Sequence, residues 1–405
     1  MKFFINSYFG DNQSIGLLSH IKKRLPYGMD DQWMVFSHYT ERGWTVDNLW
    51  HIFTDFYGGQ YAPLAFLSYL VLYAGFGYDP FYFHMFSLLL HIGCVCLVWK
   101  LISSLLRVHG GVSEKQILYV NFITTLLFAV HPINVEAVAW ISALKVLLYA
   151  FFYLLGLLCY LRYIRTSKIF YYVLTIGCFL CSFWGKEQAV TFPLALLIVD
   201  WFTNRNMKNL EVWSEKMSFL IMAFFFGIIT VLSQGKGPYE MIFPLYQRLL
   251  FGCFALVEYI TKSLLPVNLN FFYPFPIVLG EEPPLHYYLY PVVLLFLMGW
   301  IIAYRNNRYL VFGVLLFLVN LLFSIHLFNM SRHAIVADRY MYLSYVGIAF
   351  LIANGIWWLR KRLSYFKAAL VFLFFYCFFL SVYTFHYTKK WENTTMVKKL
   401  SLIHI

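Results

Sequence analysis

The sequence predicts an all-α polytopic membrane protein built around a bundle of about ten spanning helices. Hydrophobic residues make up 61% of the 405 residues and charged residues only 12%, whereas soluble domains average about 45–50% apolar and about 25% charged residues. Aromatic residues reach 21%; Trp and Tyr favour membrane interfaces. The apolar residues fall into long runs separated by short polar connections, as expected of a chain that crosses a bilayer repeatedly.

Spanning a bilayer takes roughly 20 mainly apolar residues, and ten apolar runs of varying length are interpreted as the spanning helices. The ten runs are Phe81–Leu105, Gln116–Val130, Ala139–Tyr160, Ile169–Phe183, Ala189–Trp201, Met217–Leu232, Tyr288–Tyr304, Tyr309–His326, Met341–Trp358 and Ala368–Phe385. The stretch Met1–Lys23 has no continuous apolar core, so we expect neither a signal peptide nor a spanning helix there.

Lys and Arg recur on alternate connections, which predicts that these connections are cytoplasmic. They are Arg107, Lys115, Arg162, Arg165, Lys168, Arg205, Lys208, Lys216, Arg305, Arg308, Arg360, Lys361, Arg362 and Lys367. An eleventh apolar stretch, Arg248–Leu265, would reverse this parity if it crossed the membrane. We therefore expect it to be a re-entrant or juxtamembrane helix on the outer side. The net charge of +12 follows from this orientation, and nucleic-acid binding is not indicated.

The predicted domain organisation has three parts. Residues 1–80 form an outer segment with an acidic loop, 81–387 the transmembrane core with an outer loop at 233–285, and 388–405 a short outer tail. Aromatic residues at near-helical spacing in Trp44–Gly77 predict amphipathic helices in the outer interface. The alternative is that Pro63–Gly77 forms half of a further spanning helix.

Ionisable residues cluster at the predicted outer ends of the helices, although such a group at membrane depth costs at least ~2.5 kcal/mol. They are Asp30, Asp31, His131, Glu136, Lys145, Lys186, Glu187, Asp338 and Arg339. We expect a polar cavity with acids at its mouth and cations deeper. This set suits transfer of a sugar from a lipid phosphate, because a carboxylate can deprotonate an acceptor hydroxyl while cations stabilise the departing phosphate.

Structural alternatives remain open for each of these groups. Asp338–Arg339 can be an ion pair at a helix start, and Asp30–Asp31 a solvated turn. His131 can end a helix before Pro132, and Lys186–Glu187 can anchor two helices at the interface. His84 and His91 share a helix face, but without a third ligand they predict a packed, hydrogen-bonded pair, and the cysteines lack zinc-site spacing.

Six stretches carry a resemblance to a known family. "GMDDQWMV", "DPFYFHMFSLLLH", "HPINVEAVAWIS", "WGKEQAVTFPLALLIVDW", "LPVNLNFFYPFP" and "ADRYMYLSYVGIAF" occur in the order and at about the spacing found in the GT-C membrane glycosyltransferases related to the transmembrane-and-tetratricopeptide O-mannosyltransferases. Several motifs in order are more specific than any single one. The similarity extends from about Tyr27 to Trp391.

This resemblance implies a GT-C fold, a polyprenyl-phosphate sugar donor and inverting transfer to a protein or glycan hydroxyl on the non-cytosolic face. It implies a bacterial inner (plasma) membrane with the site on the periplasmic side, and it requires no metal and no cofactor. By position, the general base falls on Asp30 and Asp31, and donor phosphate binding on Arg339 and Lys186, with Lys145 as a partial replacement for a lost Arg. The supporting residues are His131, Glu136, Glu187, Asp338 and Tyr342.

The chain departs from the family pattern at charged positions. Leu144 and Val146 stand where the family has Arg and Asp, and Ala62 replaces a further Arg. Relatives also have a spanning helix before the acidic pair, and many continue into tetratricopeptide repeats, so we expect outer loops or a partner subunit to recognise the acceptor. These departures keep a second hypothesis open, an inactive GT-C-like scaffold that binds a lipid or partner protein. A transporter is less favoured because the charges gather at one face and no repeat is evident.

Overall fold

The computed structural model describes residues 31–234, 243–327 and 334–391. Within these ranges the regular structure is helical, apart from two isolated bridges, Tyr57 to Gln60 and Tyr273 to Val336. The longer helices are α1 (Val46–Thr54), α2 (Pro63–Phe76), α3 (Pro80–His109), α4 (Glu114–Val130), α5 (Leu144–Thr166), α6 (Ile169–Gly185), α7 (Phe192–Phe202), α8 (Leu210–Gln234), α9 (Leu245–Leu264), α10 (Leu289–Ala303), α11 (Arg308–Leu321), α12 (Met341–Trp358) and α13 (Leu363–Lys390).

The all-α membrane architecture is confirmed, but the number of full-length spans is smaller than ten. Six helical segments in the described ranges are long and apolar enough to cross a membrane: Pro80–His109, Ile141–Thr166, Leu210–Ser233, Leu285–Ala303, Asp338–Lys361 and Leu363–Lys390. A seventh arises if α4 and Pro132–Ala139 form one span with a 51° bend. The protein is an integral membrane protein.

Three runs predicted to span are helical but short. Helices α6, α7 and α11 contain 17, 11 and 14 residues, and even 17 residues extend only about 26 Å, less than the roughly 30 Å hydrocarbon core. One polar turn separates two of the predicted runs and keeps both helices short. Helix α6 ends at Gly185, and a 3-10 turn, Glu187–Thr191, separates it from α7. Polar residues around Lys186 and Glu187 thus interrupt the bundle where the sequence predicts the outer cluster of ionisable residues.

Helix α5 forms the centre of the bundle, with most of its length buried, and packs against α3 and α6. Glycines allow the closest helix approaches. A Cβ on Gly185 would lie 2.8 Å from the backbone nitrogen of Tyr149 in α5, and one on Gly347 would lie 2.5 Å from the Gly313 carbonyl oxygen, where α12 meets α11. Small residues at such crossings bring helix backbones into direct contact.

Helix α9 is not among the segments suited to span the membrane, and its two ends contact the loops that flank the candidate site. The Gln247 amide donates to the Glu281 carbonyl oxygen at 2.9 Å, while the Lys262 ammonium near the other end lies 3.8 Å from the Asp338 carboxylate. Helix α1 exposes Trp50 on one side, as expected of an amphipathic interface helix. Helix α2, by contrast, is apolar and packs Ala65, Phe66 and Tyr69 inward, so the amphipathic prediction does not describe it.

An ion network joins helices at the opposite end of the bundle. Lys216 is fully buried in α8 and pairs with Asp200 and Glu215; the Arg205 guanidinium bonds the same two carboxylates at 3.1 and 2.7 Å. The Tyr160 hydroxyl completes the network at 2.8 Å from Asp200. The sequence pattern predicts Lys216 in a cytoplasmic loop, as one of the cations that set the orientation of the chain. The structure instead neutralises its charge inside the bundle, so Lys216 is weaker evidence for that orientation.

Candidate active site

The candidate site is built around the segment between α4 and α5, residues 131–143, which we call the connecting segment. It consists of three short elements, the 3-10 turn Pro132–Asn134, the helix Val135–Ala139 and the 3-10 turn Ile141–Ala143. Pro132 cannot supply the N–H that would continue α4. The segment therefore turns across the end of the bundle and presents Glu136 and Ser142, both buried, to residues from distant parts of the chain.

Asp31 is fixed directly to the connecting segment. One of its carboxylate oxygens accepts a hydrogen bond from the backbone N–H of Ser142 at 2.9 Å and a second from the Ser142 hydroxyl. Lys145, at the start of α5, donates to the Gln60 side-chain oxygen and lies 3.7 Å from the sulfur of Met34. The short helix from Asp31 to Met34 thus contacts both the connecting segment and the start of α5, whereas Asp30 lies outside the described residues.

Glu136 and Arg339 form a buried ion pair across more than 200 residues of sequence. The backbone N–H of Arg339 donates to one carboxylate oxygen of Glu136 at 2.7 Å, and its guanidinium donates to the other. Glu136 is fully buried and the Arg339 side chain is 19% exposed. The pair fixes the start of α12 against the connecting segment.

Arg339 and Lys186 converge on one aromatic ring. The Lys186 ammonium lies 4.7 Å and the Arg339 guanidinium 5.1 Å from the centroid of the Tyr340 ring. Arg339 also lies 5.1 Å from the Trp140 ring of the connecting segment. Aromatic faces attract cations through the ring quadrupole. The structure therefore brings together the two cations that the sequence assigned to phosphate binding.

Asp338 has a cation of its own that sequence reasoning missed. The Lys262 ammonium lies 3.8 Å from the fully buried Asp338 carboxylate, and the Tyr273 hydroxyl donates to both carboxylate oxygens at 3.0 and 3.1 Å. Burial, together with the negative charge of Asp338, raises the pKa of Tyr273 well above its ordinary value, so the phenol remains a donor. Two features of the sequence could have pointed to these partners of Asp338: Lys262 is a charged residue inside an apolar run, and Tyr273 lies within the family motif "LPVNLNFFYPFP".

Three other predicted residues have different surroundings. Tyr342 contacts His91 in the core, its hydroxyl 2.7 Å from Nδ1 of that histidine. The expected pairing of His91 with His84 is therefore wrong. His131 ends α4, and its Nδ1 accepts the Ile133 N–H at 3.2 Å, so its structural role as a helix stop is realised. Glu187 begins the turn after Lys186 and is half-buried.

Among the residues in the described ranges, no cluster of three or more His, Cys, Asp or Glu side chains could hold a metal ion.

The positions at which the family has additional charges are occupied by packed apolar groups. Leu144 and Val146 are each 1% exposed and belong to two different apolar clusters. Ala62 is buried immediately before Pro63, which starts α2. The cavity-lining charges that the family would place there are thus replaced by close packing.

Comparison with known proteins relates part of this chain to a group of transferases. It is 32% identical to protein O-mannosyl-transferase TMTC2 of Mus musculus over 189 residues, which is 42% of this chain and 21% of that protein. The chain is similar to the TMTC O-mannosyl-transferases. Human TMTC2 is 33% identical over 189 residues, 42% of the chain and 21% of that protein. Tmtc3 of Drosophila melanogaster is 28% identical over 172 residues, 38% of the chain and 18% of that protein.

The similarity covers only part of this chain and only part of each relative. The chain spans about a fifth of the length of these TMTC relatives, and the aligned part is less than half of the chain, whereas the family motifs are spread from Tyr27 to Trp391. No family model and no solved structure matches. These relatives are animal proteins, so they do not support the expectation of a bacterial inner membrane.

Proposed function

We propose that the protein is a membrane glycosyltransferase that moves a sugar from a polyprenyl-phosphate donor to a hydroxyl of a protein or glycan on the non-cytosolic face. The observation that carries the proposal is the meeting of Lys186 and Arg339 at the Tyr340 ring, beside the segment to which Asp31 is bonded. The similarity to proteins named O-mannosyl-transferases supports it.

In the proposed reaction the acceptor oxygen bonds to the anomeric carbon of the sugar as the bond from that carbon to the phosphate oxygen breaks, with inversion. The acceptor proton passes to a carboxylate of the Asp30–Asp31 pair, and polyprenyl phosphate leaves. Arg339 and Lys186 stabilise the negative charge that grows on the phosphate. Arg339 suits this role because its planar fork grips phosphate oxygens at two points.

Glu136 and Lys145 have supporting roles in this scheme. Glu136 orients Arg339 through its two hydrogen bonds. Lys145, which the resemblance places with the phosphate-binding cations, donates to Gln60 and contacts Met34, three residues after Asp31, so it supports the acidic segment. The proposal assigns the donor lipid as substrate and needs no cofactor, because basic side chains neutralise the leaving group. Recognition of the acceptor falls to outer loops or to a partner subunit.

The test is transfer of radiolabelled mannose from a polyprenyl-phosphate donor by the purified chain in liposomes. Arg339→Ala, Asp30→Asn and Asp31→Asn are expected to lower transfer strongly. Arg107→Ala is the matched control, because Arg107 lies at the opposite end of the bundle in an exposed pair with Glu114. Full transfer in both aspartate variants would remove the base assignment, and equal losses in Arg339→Ala and Arg107→Ala would remove the phosphate assignment.

A catalytically inactive scaffold that binds a lipid or partner is the second candidate, favoured by the apolar packing at Leu144 and Val146. Introducing Arg or Asp there would bury an unpaired charge and cost several kcal/mol, so restoring the family residues is a poor test. The decisive comparison is made on the wild-type chain. Binding of polyprenyl phosphate without any turnover of its glycosylated form supports the scaffold, and turnover contradicts it.

A further inference from the structure

Two buried hydrogen-bond donors at the connecting segment find no acceptor among the residues that the structure describes. They are the indole N–H of Trp140, in the connecting segment, and the hydroxyl of Tyr387, near the end of α13; the side chains are 6% and 2% exposed. A buried donor without a partner costs about 1–3 kcal/mol, and most buried polar side-chain atoms in proteins are paired. Two such donors in one place indicate a ligand with acceptor oxygens.

Trp140 and Tyr387 belong to one small apolar cluster, separate from the main core. Its buried members are Val135, Trp140, Ala143, Leu269, Tyr387 and Trp391. The Trp391 ring links the two donors, with centroids 6.3 Å from Trp140 and 6.3 Å from Tyr387. The Thr384 hydroxyl of α13 donates to the Val130 carbonyl oxygen at the end of α4 at 2.8 Å. The end of α13 is therefore held against the connecting segment.

Charged groups of both signs lie beside this cluster. The Arg339 guanidinium lies 5.1 Å from the Trp140 ring and pairs with the Glu136 carboxylate, and a guanidinium carries five N–H groups. A group with several acceptor oxygens and a negative charge complements a guanidinium that has one neutral donor beside it and a second in the same cluster. A phosphodiester, as in a lipid-linked sugar, has acceptor oxygens and no donors, and so matches this set.

We propose that Trp140 and Tyr387 form, with Arg339, the subsite for the phosphate of the donor lipid, each neutral group donating one hydrogen bond to a phosphate oxygen. This inference rests on the proposed function and deepens it, because it adds two binding residues that the sequence did not identify. The inference also predicts how removing the Tyr387 hydroxyl changes the stability of the ligand-free protein. Since the Tyr387 hydroxyl finds no acceptor among the described residues, its removal is expected to relieve a desolvation cost in the ligand-free protein and to weaken the liganded state.

Farnesyl phosphate is the binding probe, applied to the full chain purified in detergent, with farnesol and inorganic phosphate as comparison ligands. Tyr387→Phe is expected to weaken farnesyl phosphate binding about 10-fold, the effect of one lost hydrogen bond to a charged group. It leaves farnesol binding unchanged and does not lower the Tm of the ligand-free protein. Trp140→Phe is expected to weaken farnesyl phosphate binding similarly. Binding of inorganic phosphate alone with the same sensitivity would identify free phosphate rather than a lipid headgroup as the ligand and overturn the proposal.

Tyr149→Phe is the matched control, because the Tyr149 hydroxyl donates to Asn320 within the bundle at 3.1 Å. This variant is expected to lower the Tm and keep the affinity. A Tm loss in Tyr387→Phe equal to that in Tyr149→Phe, or unchanged farnesyl phosphate affinity, would overturn the subsite. If Arg339→Ala still lost binding in that case, the proposed function would stand. If wild-type protein bound farnesyl phosphate no better than farnesol, both would fail.

Discussion

Arg339 gives Glu136 two hydrogen bonds, one from its backbone N–H and one from its guanidinium. Glu136→Gln removes the negative charge from this buried pair while keeping the side-chain size. Because the largely buried charge of Arg339 then loses the carboxylate of Glu136, we expect the free energy of unfolding to fall by about 2–4 kcal/mol. Thermal unfolding in detergent measures the change. Glu114→Gln is the control, since its pair with Arg107 is exposed and should contribute less than about 1 kcal/mol. Equal effects in the two variants would contradict the structural role of Glu136.

Ser142 positions Asp31, so Ser142→Ala should affect catalysis more than stability. The substitution removes the hydroxyl hydrogen bond to Asp31 and keeps the one from the backbone N–H. We expect the transfer rate to fall about 10-fold, since a hydrogen bond to a charged group contributes about 1.5–3 kcal/mol. Steady-state kinetics should show this loss in kcat. A wild-type rate in Ser142→Ala, together with inactivity in Asp31→Asn, would show that this hydroxyl does not position the carboxylate.

Lys262 compensates the charge of Asp338, so Lys262→Met should destabilise the protein. The expected loss is about 3 kcal/mol, because the fully buried Asp338 loses its cation and retains, among the described residues, the hydrogen bonds from Tyr273. Adding Asp338→Asn to Lys262→Met should recover part of the loss, and the recovery measures the coupling between the two charges. Lys208→Met, at an exposed lysine, serves as the control. Additive losses in the double variant would show that the two charges are not coupled.

The ion network at the opposite end of the bundle should act on stability alone. Lys216→Met removes the fully buried ammonium that pairs with Asp200 and Glu215. A decrease of about 3–5 kcal/mol in the free energy of unfolding is expected, with the affinity for farnesyl phosphate unchanged when measured below the unfolding temperature. A change in that affinity would reveal coupling between the two ends of the bundle.

Helix positions were predictable from the sequence because each apolar run produced a helix near the expected bounds. The number of full-length spans was not predictable, since short runs such as the one that forms α6 were counted as spans, although the polar turn at Lys186–Glu187 prevents the helix from lengthening. The outer cluster of charges was visible as ionisable residues at run ends. The pairing of these residues could not be predicted, because the Glu136–Arg339 and Lys262–Asp338 contacts join residues that are far apart in the chain and depend on the packed fold. Lys262 was hidden within an apolar run that looked structural.

The 51° bend after α4 turns residues 132–139 across the end of the bundle. Had the helix continued straight, these residues would extend the wall of the bundle. In the bent arrangement residues 132–137 are buried, so Glu136 is kept out of contact with bulk water. Under the proposed chemistry, a sheltered reaction centre of this kind disfavours hydrolysis of the sugar donor in place of transfer.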